Sequence, residues 1–501
     1  MLAPATPLLY AGPHADRHPL YVPLEPESDG CVDQHLFCHR TSLLAIVFGM
    51  CPALTAPKPG SDHGLRVSPD EPIKWRGDPM KYSPAMAPGR MLKISMVSVN
   101  ADPLAPVGCS AAGAQNLHVD ELSAALVRAG HDVTVFTRRA HVGGPDRVRA
   151  RAGYSVDYLE AGPTHALPDA EILPHLGTFA SILRAQWSTD RPDVVHSHFW
   201  MSGVATELAT RSLGIPVLQT FHSLGSAAHR YLGAADDSPS ERTHLEPLIA
   251  RGATHVIATS SDEIFDLVRQ GSPRSRTTMV PSGVDTEAFT PEGPAAKKTA
   301  PHRLICVGRL VEQKGFDVAV AALASLPDTE LVVIGGPPVA QLSTDEVAIR
   351  LVKLAERLGV ADRVQLLGRV PHRQLPKLMR SADALVCTPR YEPFGIAALE
   401  AMACGVPVVA TPVGGLRDTV IDGLTGRRVP VNSPVETARA VRHLLDDEDE
   451  GAAFARQSRA RACESYSWDH VATEVVRTYG RCVTAPPRAR QHKGTHRSEV
   501  H

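Results

Sequence analysis

From Met91 onward, short apolar runs alternate with amphipathic stretches. "LKISMVSV" (92–99) predicts a strand, and "QNLHVDELSAALVRAG" (115–130) predicts a helix that stops at Gly130. "HDVTVFTR" is the next strand. "DVVHSH", "PVLQTFH" and "HVIATS" follow, each ahead of a helical pattern. Strands that are apolar throughout and separated by helices indicate a parallel sheet covered on both faces.

The rhythm breaks at "GVDTEAFTPEGPAAKKTAP" (283–301), a stretch rich in Pro, Gly, Ala and Lys that predicts a linker. It then restarts with "RLICVGR", "ELVVIGG", "RVQLLGR", "ALVCTPR" and "PVVAT". "SSDE" at Ser260 and "STDE" at Ser343 predict capping boxes, and "SPVE" at Ser433 places proline at the first helical position. After Val429 only helical patterns remain, the last being "WDHVATEVVRTYGRC" from Trp468. The expected fold is α/β: two tandem doubly wound, Rossmann-like domains facing across a cleft. The first spans 91–285, a linker 286–300, and the second 301–466. A helix at 467–485 packs back across the junction, and 486–501 is a tail.

The first 90 residues hold 14 of the 42 prolines and show no sustained period, which predicts a mostly disordered extension. The alternative is that translation starts at Met91. The most apolar piece there, Ser42 to Leu54, is too short to span a bilayer.

Composition narrows the classes. The 501-residue chain is 43% hydrophobic and 21% charged with a net charge of -2, which fits a folded protein and gives no reason to expect nucleic acid as partner. Nine scattered cysteines with no C-x-x-C pair argue against a disulfide framework or a zinc site, and for a reducing, cytoplasmic compartment.

In open parallel sheets, ligands sit beyond the carboxyl ends of the strands. Two such positions stand out. "VGRLVEQKG" places Arg309 and Lys314 five apart in a glycine-bounded loop, which suits a diphosphate or is ordinary loop charge. "RYEPFGIAALEAMACGVP" is more specific. A helix opening at Pro393 or Phe394 would turn the N–H groups of Gly395, Ile396 and Ala397 outward, toward phosphate oxygens. Glu392 and Glu400 then flank that end, placed to accept bonds from sugar and ribose hydroxyls. His196 and His198 alternate on one strand, and His222 ends another facing the same side. Arg242 and Glu246 lie four apart on a helix, a spacing equally common in surface pairs.

Glu392-x7-Glu400, with "GRLVEQKG" upstream and "GVPVVATPVGGLRDTVIDGLTG" downstream, resembles the retaining glycosyltransferases of family 4. "VVHSHFWMSG", "LQTFHSLG" and "VPSGVDTEAF" extend the likeness over about Met91 to Cys482. It is strongest to the branch of sucrose-phosphate synthase and the actinobacterial inositol-phosphate glycosyltransferase. The resemblance implies a GT-B fold and transfer of a hexosyl group from a nucleotide sugar, such as a UDP-sugar, to a hydroxyl acceptor. It implies that Arg309 and Lys314 hold the diphosphate, helped by the amides of Gly395 and Ile396 beside Phe394. Glu400 would bind the ribose, and Glu392 a donor-sugar hydroxyl. Arg369 and Val370 would border the base through their main chain, and His222 would approach the transferred sugar. Gly113, His198 and Arg242 would lie on the acceptor side. No D-x-D motif has a plausible cleft position, so no essential metal is expected; "DDEDE" near 446–450 reads as solvated charge.

One departure is "AGAQN": the family usually has two adjacent glycines, and here Ala114 follows Gly113, with Ala111 and Ala112 before them. That leaves open a catalytically silent nucleotide-sugar binder. An epimerase or a phosphorylase on the same fold is a further alternative.

Overall fold

A computed structural model of the chain describes residues 90–105, 113–233, 236 and 238–483. The extension to residue 89, Ala111, Ala112 and the tail from 486 lie outside the described residues.

Two sheets form, in the order of the two apolar rhythms. The first has eight strands: β1 (Lys93–Val97), β2 (Asp132–Arg138), β3 (Arg147–Arg149), β4 (Ser155–Leu159), β5 (Val194–His198), β6 (Val217–Thr220), β7 (His255–Ala258) and β8 (Thr277–Met279), in the order β3-β4-β2-β1-β5-β6-β7-β8. All pairings are parallel except β3 with β4. The second has β9 (His302–Val307), β10 (Thr329–Ile334), β11 (Val364–Gly368), β12 (Ala384–Cys387), β13 (Val408–Ala410) and β14 (Gly426–Arg428), all parallel, in the order β11-β10-β9-β12-β13-β14. The sequence order of strands reverses direction between β1 and β5, and again between β9 and β12. Loops leaving those strands diverge to opposite faces of the sheet and leave a crevice.

The apolar strands are covered on both faces. In the second domain one core gathers Ile305, Val332, Leu385, Leu399 and Met402, and the opposite core gathers Leu304, Val320, Leu331, Val386 and Val441. In the first domain Ile94, Val119, Leu122 and Val135 pack with Trp468, Val471, Val475 and Tyr479 of the terminal helix Trp468–Val483. That helix follows Glu448–Tyr466, which packs on the second domain, so the chain crosses back before it ends.

Local signals were realised with changes. Ser260 caps the helix Ser261–Arg269 by accepting from the Glu263 amide at 3.2 Å, while Glu263 reaches back to Thr259 N rather than to the cap's own N–H. At "STDE" the cap is Asp345, which accepts from Ala348 N at 2.9 Å, because Ser343 is drawn into a 3₁₀ turn. Ser433 precedes its helix without a side-chain cap. The linker is tied down: Phe289 is buried, Lys298 pairs with Asp383 at 2.6 Å, and Thr299 N bonds Glu330 at 3.0 Å. The acids at 446–450 are partly engaged, since Asp447 caps a helix and Glu450 pairs with Arg427 at 2.5 Å. Short, charged β3 and β14 carry no apolar run and leave no strand signal in the sequence.

Candidate active site

The second-domain half of the site is built at the β9/β12 switch. After β9 the chain turns through Gly308 to Arg309, which is exposed and whose guanidinium has no partner among the described residues. Lys314 ends a 3₁₀ turn in the same loop, just before Gly315. Gly315 has φ +67°, and a Cβ there would stand 2.0 Å from the Thr388 carbonyl oxygen, so only glycine lets the β9 and β12 loops touch.

That contact brings Lys314 to Glu392, and the two form an ion pair. Glu392 is 7% exposed and its Oε1 also faces the amides of Phe394 and Gly395 at 3.4 and 3.3 Å. Burial pushes its pKa up; Lys314 and those two amides outweigh burial and hold it below the ordinary glutamate value. The helix opens later than Pro393 or Phe394, at Ile396, because Gly395 is left-handed (φ +74°). The Gly395 amide is thus turned to Glu392, while those of Ile396 and Ala397 have no acceptor among the described residues. These amides mark the positive end of the helix.

Glu400 lies on that helix, 4% exposed, and accepts from His372 Nε2 at 2.6 Å. Arg369 and Val370 follow β11. The Arg369 amide is already bonded to Pro337 O at 2.9 Å and so is not a donor for a base.

The first-domain half is a cluster of histidines. His198, at the end of β5, is hydrogen-bonded through Nδ1 to His222 Nε2 at 2.9 Å. His196 is fixed by Tyr479 OH and Thr220 Oγ1, both at 2.8 Å. His118, from the helix Gly113–Arg128, meets His222 edge-on with ring centroids 4.9 Å apart and bonds Ser282 at 3.2 Å. All four are buried. Burial lowers His118 to about 4 and His196 to about 3, and holds His198 and His222 well below the ordinary imidazole value. They are therefore neutral at pH 7.

His222 faces the cleft. Its Nδ1 has no partner among the described residues, its ring lies 5.4 Å from that of Phe394 across the cleft, and its φ is +64°. Phe199, just after β5, has φ +74°. Non-glycine residues at positive φ cost roughly 1–3 kcal/mol each, and such strain gathers at functional sites. His198 has no exposed surface; it sits one layer behind His222 and reaches the cleft through it.

Arg242 is not a surface charge. Its guanidinium bonds Glu246 Oε1 at 2.7 Å and Ser223 O at 2.7 Å, and lies 4.9 Å over the Phe199 ring. Glu246 also accepts from Gly225 N at 2.8 Å. Gly113 is buried at its helix start and Ala114 is exposed. Sequence reasoning passed over Asn116, whose amide is buried with neither Nδ2 nor Oδ1 partnered among the described residues. Two polar atoms so placed are costly unless something meets them. Asn116 stands one turn into the same helix, and only its position in "AGAQN" could have flagged it.

The halves touch. Ser261 donates from N and Oγ to Asp418, both at 2.7 Å; Asp262 accepts from Gly414 N at 3.0 Å; Tyr231 stacks on Tyr391 at 5.2 Å. The cavity at this seam, lined by His222, Glu263, Tyr391 and Pro393 among others, is about 30 Å³. Ligand pockets usually measure about 300–1,000 Å³.

Two parallel-sheet domains packed against each other, with basic side chains and a helix end at one switch point, have the GT-B architecture of glycosyltransferases. Family models agree: residues 113–283 match the glycosyl transferase 4-like domain and residues 292–461 match glycosyl transferases group 1, and the chain belongs to that family. Among relatives, the D-inositol 3-phosphate glycosyltransferase of Xylanimonas cellulosilytica is 35% identical over 414 residues, covering 79% of this chain and 98% of the relative. Its counterpart in Mycobacterium tuberculosis is 33% identical over 417 residues, covering 80% and 86%. Sucrose-phosphate synthase from Thermosynechococcus elongatus superposes with a TM-score of 0.70 at 30% identity, covering 77% of this chain and 98% of the other. Anabaena HepE, solved with UDP-glucose, shares the fold at 19% identity, with a TM-score of 0.60 and coverage of 78% and 100%. Epimerase, phosphorylase and silent-binder readings find no counterpart among these matches. Among the described residues no helix is long and apolar enough to cross a membrane.

Proposed function

We propose that this glycosyltransferase is a retaining hexosyltransferase that uses a UDP-sugar and a hydroxyl acceptor. The observation that carries the reading is the Lys314–Glu392 pair against an open helix end at the β9/β12 switch. A diphosphate seated there takes Lys314 and Arg309 as cations and the amide of Ile396, with that of Ala397, as donors, while the Gly395 amide stays on Glu392. Released from Lys314, Glu392 accepts from a hydroxyl of the transferred sugar, and Glu400 accepts from the ribose. Arg369 and Val370 border the base through main-chain groups, with Phe394 beside the sugar. His222, neutral, meets that sugar from the other domain. Gly113, His198 and Arg242 shape the acceptor side, with Asn116 added to them.

As the glycosidic bond breaks, negative charge grows on the diphosphate. Fixed cations and helix dipoles stabilise that charge without reorganising. Domain closure orients the acceptor and excludes water. The side chains supply the neutralising charge, so turnover should persist in EDTA. A cytoplasmic setting accords with the five described cysteines being free thiols.

The test is a thermal-shift screen of UDP-, ADP- and GDP-sugars, followed by an acceptor search with the donor that stabilises most. Release of UDP and formation of an α-linked product from an α-linked donor support the reading. Donor breakdown that needs inorganic phosphate, or an inverted product, overturns it.

A further inference from the structure

Glu400 is assigned above to the ribose, yet in this structure its Oε1 is already engaged by His372. His372 stands two residues beyond Val370, in the 3₁₀ turn His372–Gln374 that continues the β11 loop. The loop that borders the base therefore also reaches the carboxylate beside it. The imidazole rests tilted against the Phe289 ring, with centroids 5.2 Å apart, and its side chain is 29% exposed.

We propose that His372 is a positioning residue for donor binding: it holds Glu400 by one oxygen, leaving the other aimed at a ribose hydroxyl. The inference rests on the donor reading above. A carboxylate on a helix has several rotamers, and a fixed hydrogen bond to one oxygen selects among them before the ligand arrives. The second oxygen keeps its lone pairs for a hydroxyl donor.

The contact also responds to pH. Burial alone would lower the His372 pKa; the hydrogen bond and charge of Glu400, with Glu121 and Asp285, carry it above the ordinary value. Glu121 comes from the first domain, and burial, with Asp120 and Asp285, raises its own pKa to about 7 against Arg128 and His372. Imidazolium at low pH grips Glu400 more strongly than neutral imidazole does at high pH.

The experiment is calorimetric titration of UDP-glucose into the full chain at pH 6.0, 7.0 and 8.5. UDP-glucose suits it because its diphosphate, esterified at both ends, takes up no proton in this range. His372→Ala should weaken binding about tenfold at pH 6.0, the scale of one charged hydrogen bond. His372→Gln, which keeps an N–H donor, should recover most of that loss. Wild-type affinity should fall several-fold from pH 6.0 to 8.5, His372→Gln should be nearly flat, and Glu121→Gln should keep the slope. In a Glu400→Gln background, His372→Ala should add little further loss. Equal binding by wild type and His372→Ala, a tenfold loss in both Glu400 backgrounds, or a slope abolished by Glu121→Gln but not by His372→Gln would each overturn the positioning role while leaving the donor reading standing. No uptake of UDP-glucose by wild type, with uptake of no other nucleotide sugar, overturns both.

Discussion

The two walls of the cleft solve opposite problems. The first-domain wall carries four histidines that are buried, packed ring against ring and neutral. The second-domain wall carries charges that are paired with one another, Lys314 with Glu392 and His372 with Glu400, beside an exposed Arg309 with no described partner. Neutral groups under a closed surface set shape without attracting or repelling a dianion. Charged groups paired across a loop hold each other ready and can exchange partners when an anion arrives. In the function proposed above, the phosphates go to the charged wall, the acceptor to the neutral one, and the transferred sugar lies between them.

That contrast can be broken in several places. The largest effect is expected at Arg242, whose removal strands the Glu246 carboxylate under the first-domain wall. Arg242→Ala should cost about 3–5 kcal/mol in a denaturant titration, the usual loss when one partner of a buried pair is deleted. A loss under about 1 kcal/mol would place the pair among surface contacts.

Arg309→Ala comes next and should leave stability unchanged because the side chain is exposed. Turnover should fall by about 10²–10³, the scale of one lost donor to developing charge. It is a cleaner probe than Lys314→Ala, which should abolish turnover but leaves buried Glu392 without its counter-charge. Near-normal rates in both variants would remove the diphosphate from this loop.

The neutral wall predicts acid sensitivity. His118 has a folded pKa of about 4 against 6.5 unfolded. Its contribution is therefore complete above pH 6.5 and is lost as pH falls toward 4, since the unfolded chain then binds the extra proton. By pH 4 that loss is on the order of 3 kcal/mol, and His118→Phe should remove it. A wild-type stability that is level over that interval would mean the ring titrates freely.

Smallest is Gly395→Ala. At φ +74° a Cβ meets Leu416 Cδ2 at 3.0 Å. Strain of about 1–2 kcal/mol should appear in stability, together with weaker donor binding as the helix end shifts.

How much of this the chain revealed before folding depended on locality. The charged wall was legible because Glu392, Gly395 and Glu400 fall within one loop and one helix start, and Arg309 and Lys314 within another loop. Each is read from neighbours in sequence. The helix start itself was misplaced by two or three residues, because a left-handed Gly395 is indistinguishable in sequence from one that merely permits close approach. The neutral wall was only half legible. His196, His198 and His222 announce themselves at strand ends, but His118 reads as one more helix residue and Asn116 as a polar neighbour. Both gain meaning only when β1, β5 and β6 stand side by side. His372 gave no signal at all, since its partner lies 28 residues away and its loop looks like any surface turn. Arg242 and Glu246 were legible as a pair but not as a buried one, because burial there comes from Phe199 and Ser223 on other strands' loops.

The central claim is that the second-domain wall binds a diphosphate through Arg309 and Lys314. The most direct test is calorimetric titration of UDP into wild type and Arg309→Ala under identical conditions. The account predicts binding to wild type and affinity lower by at least about thirtyfold in the variant, the scale of one bidentate charged contact. Equal affinity in the two proteins would contradict it.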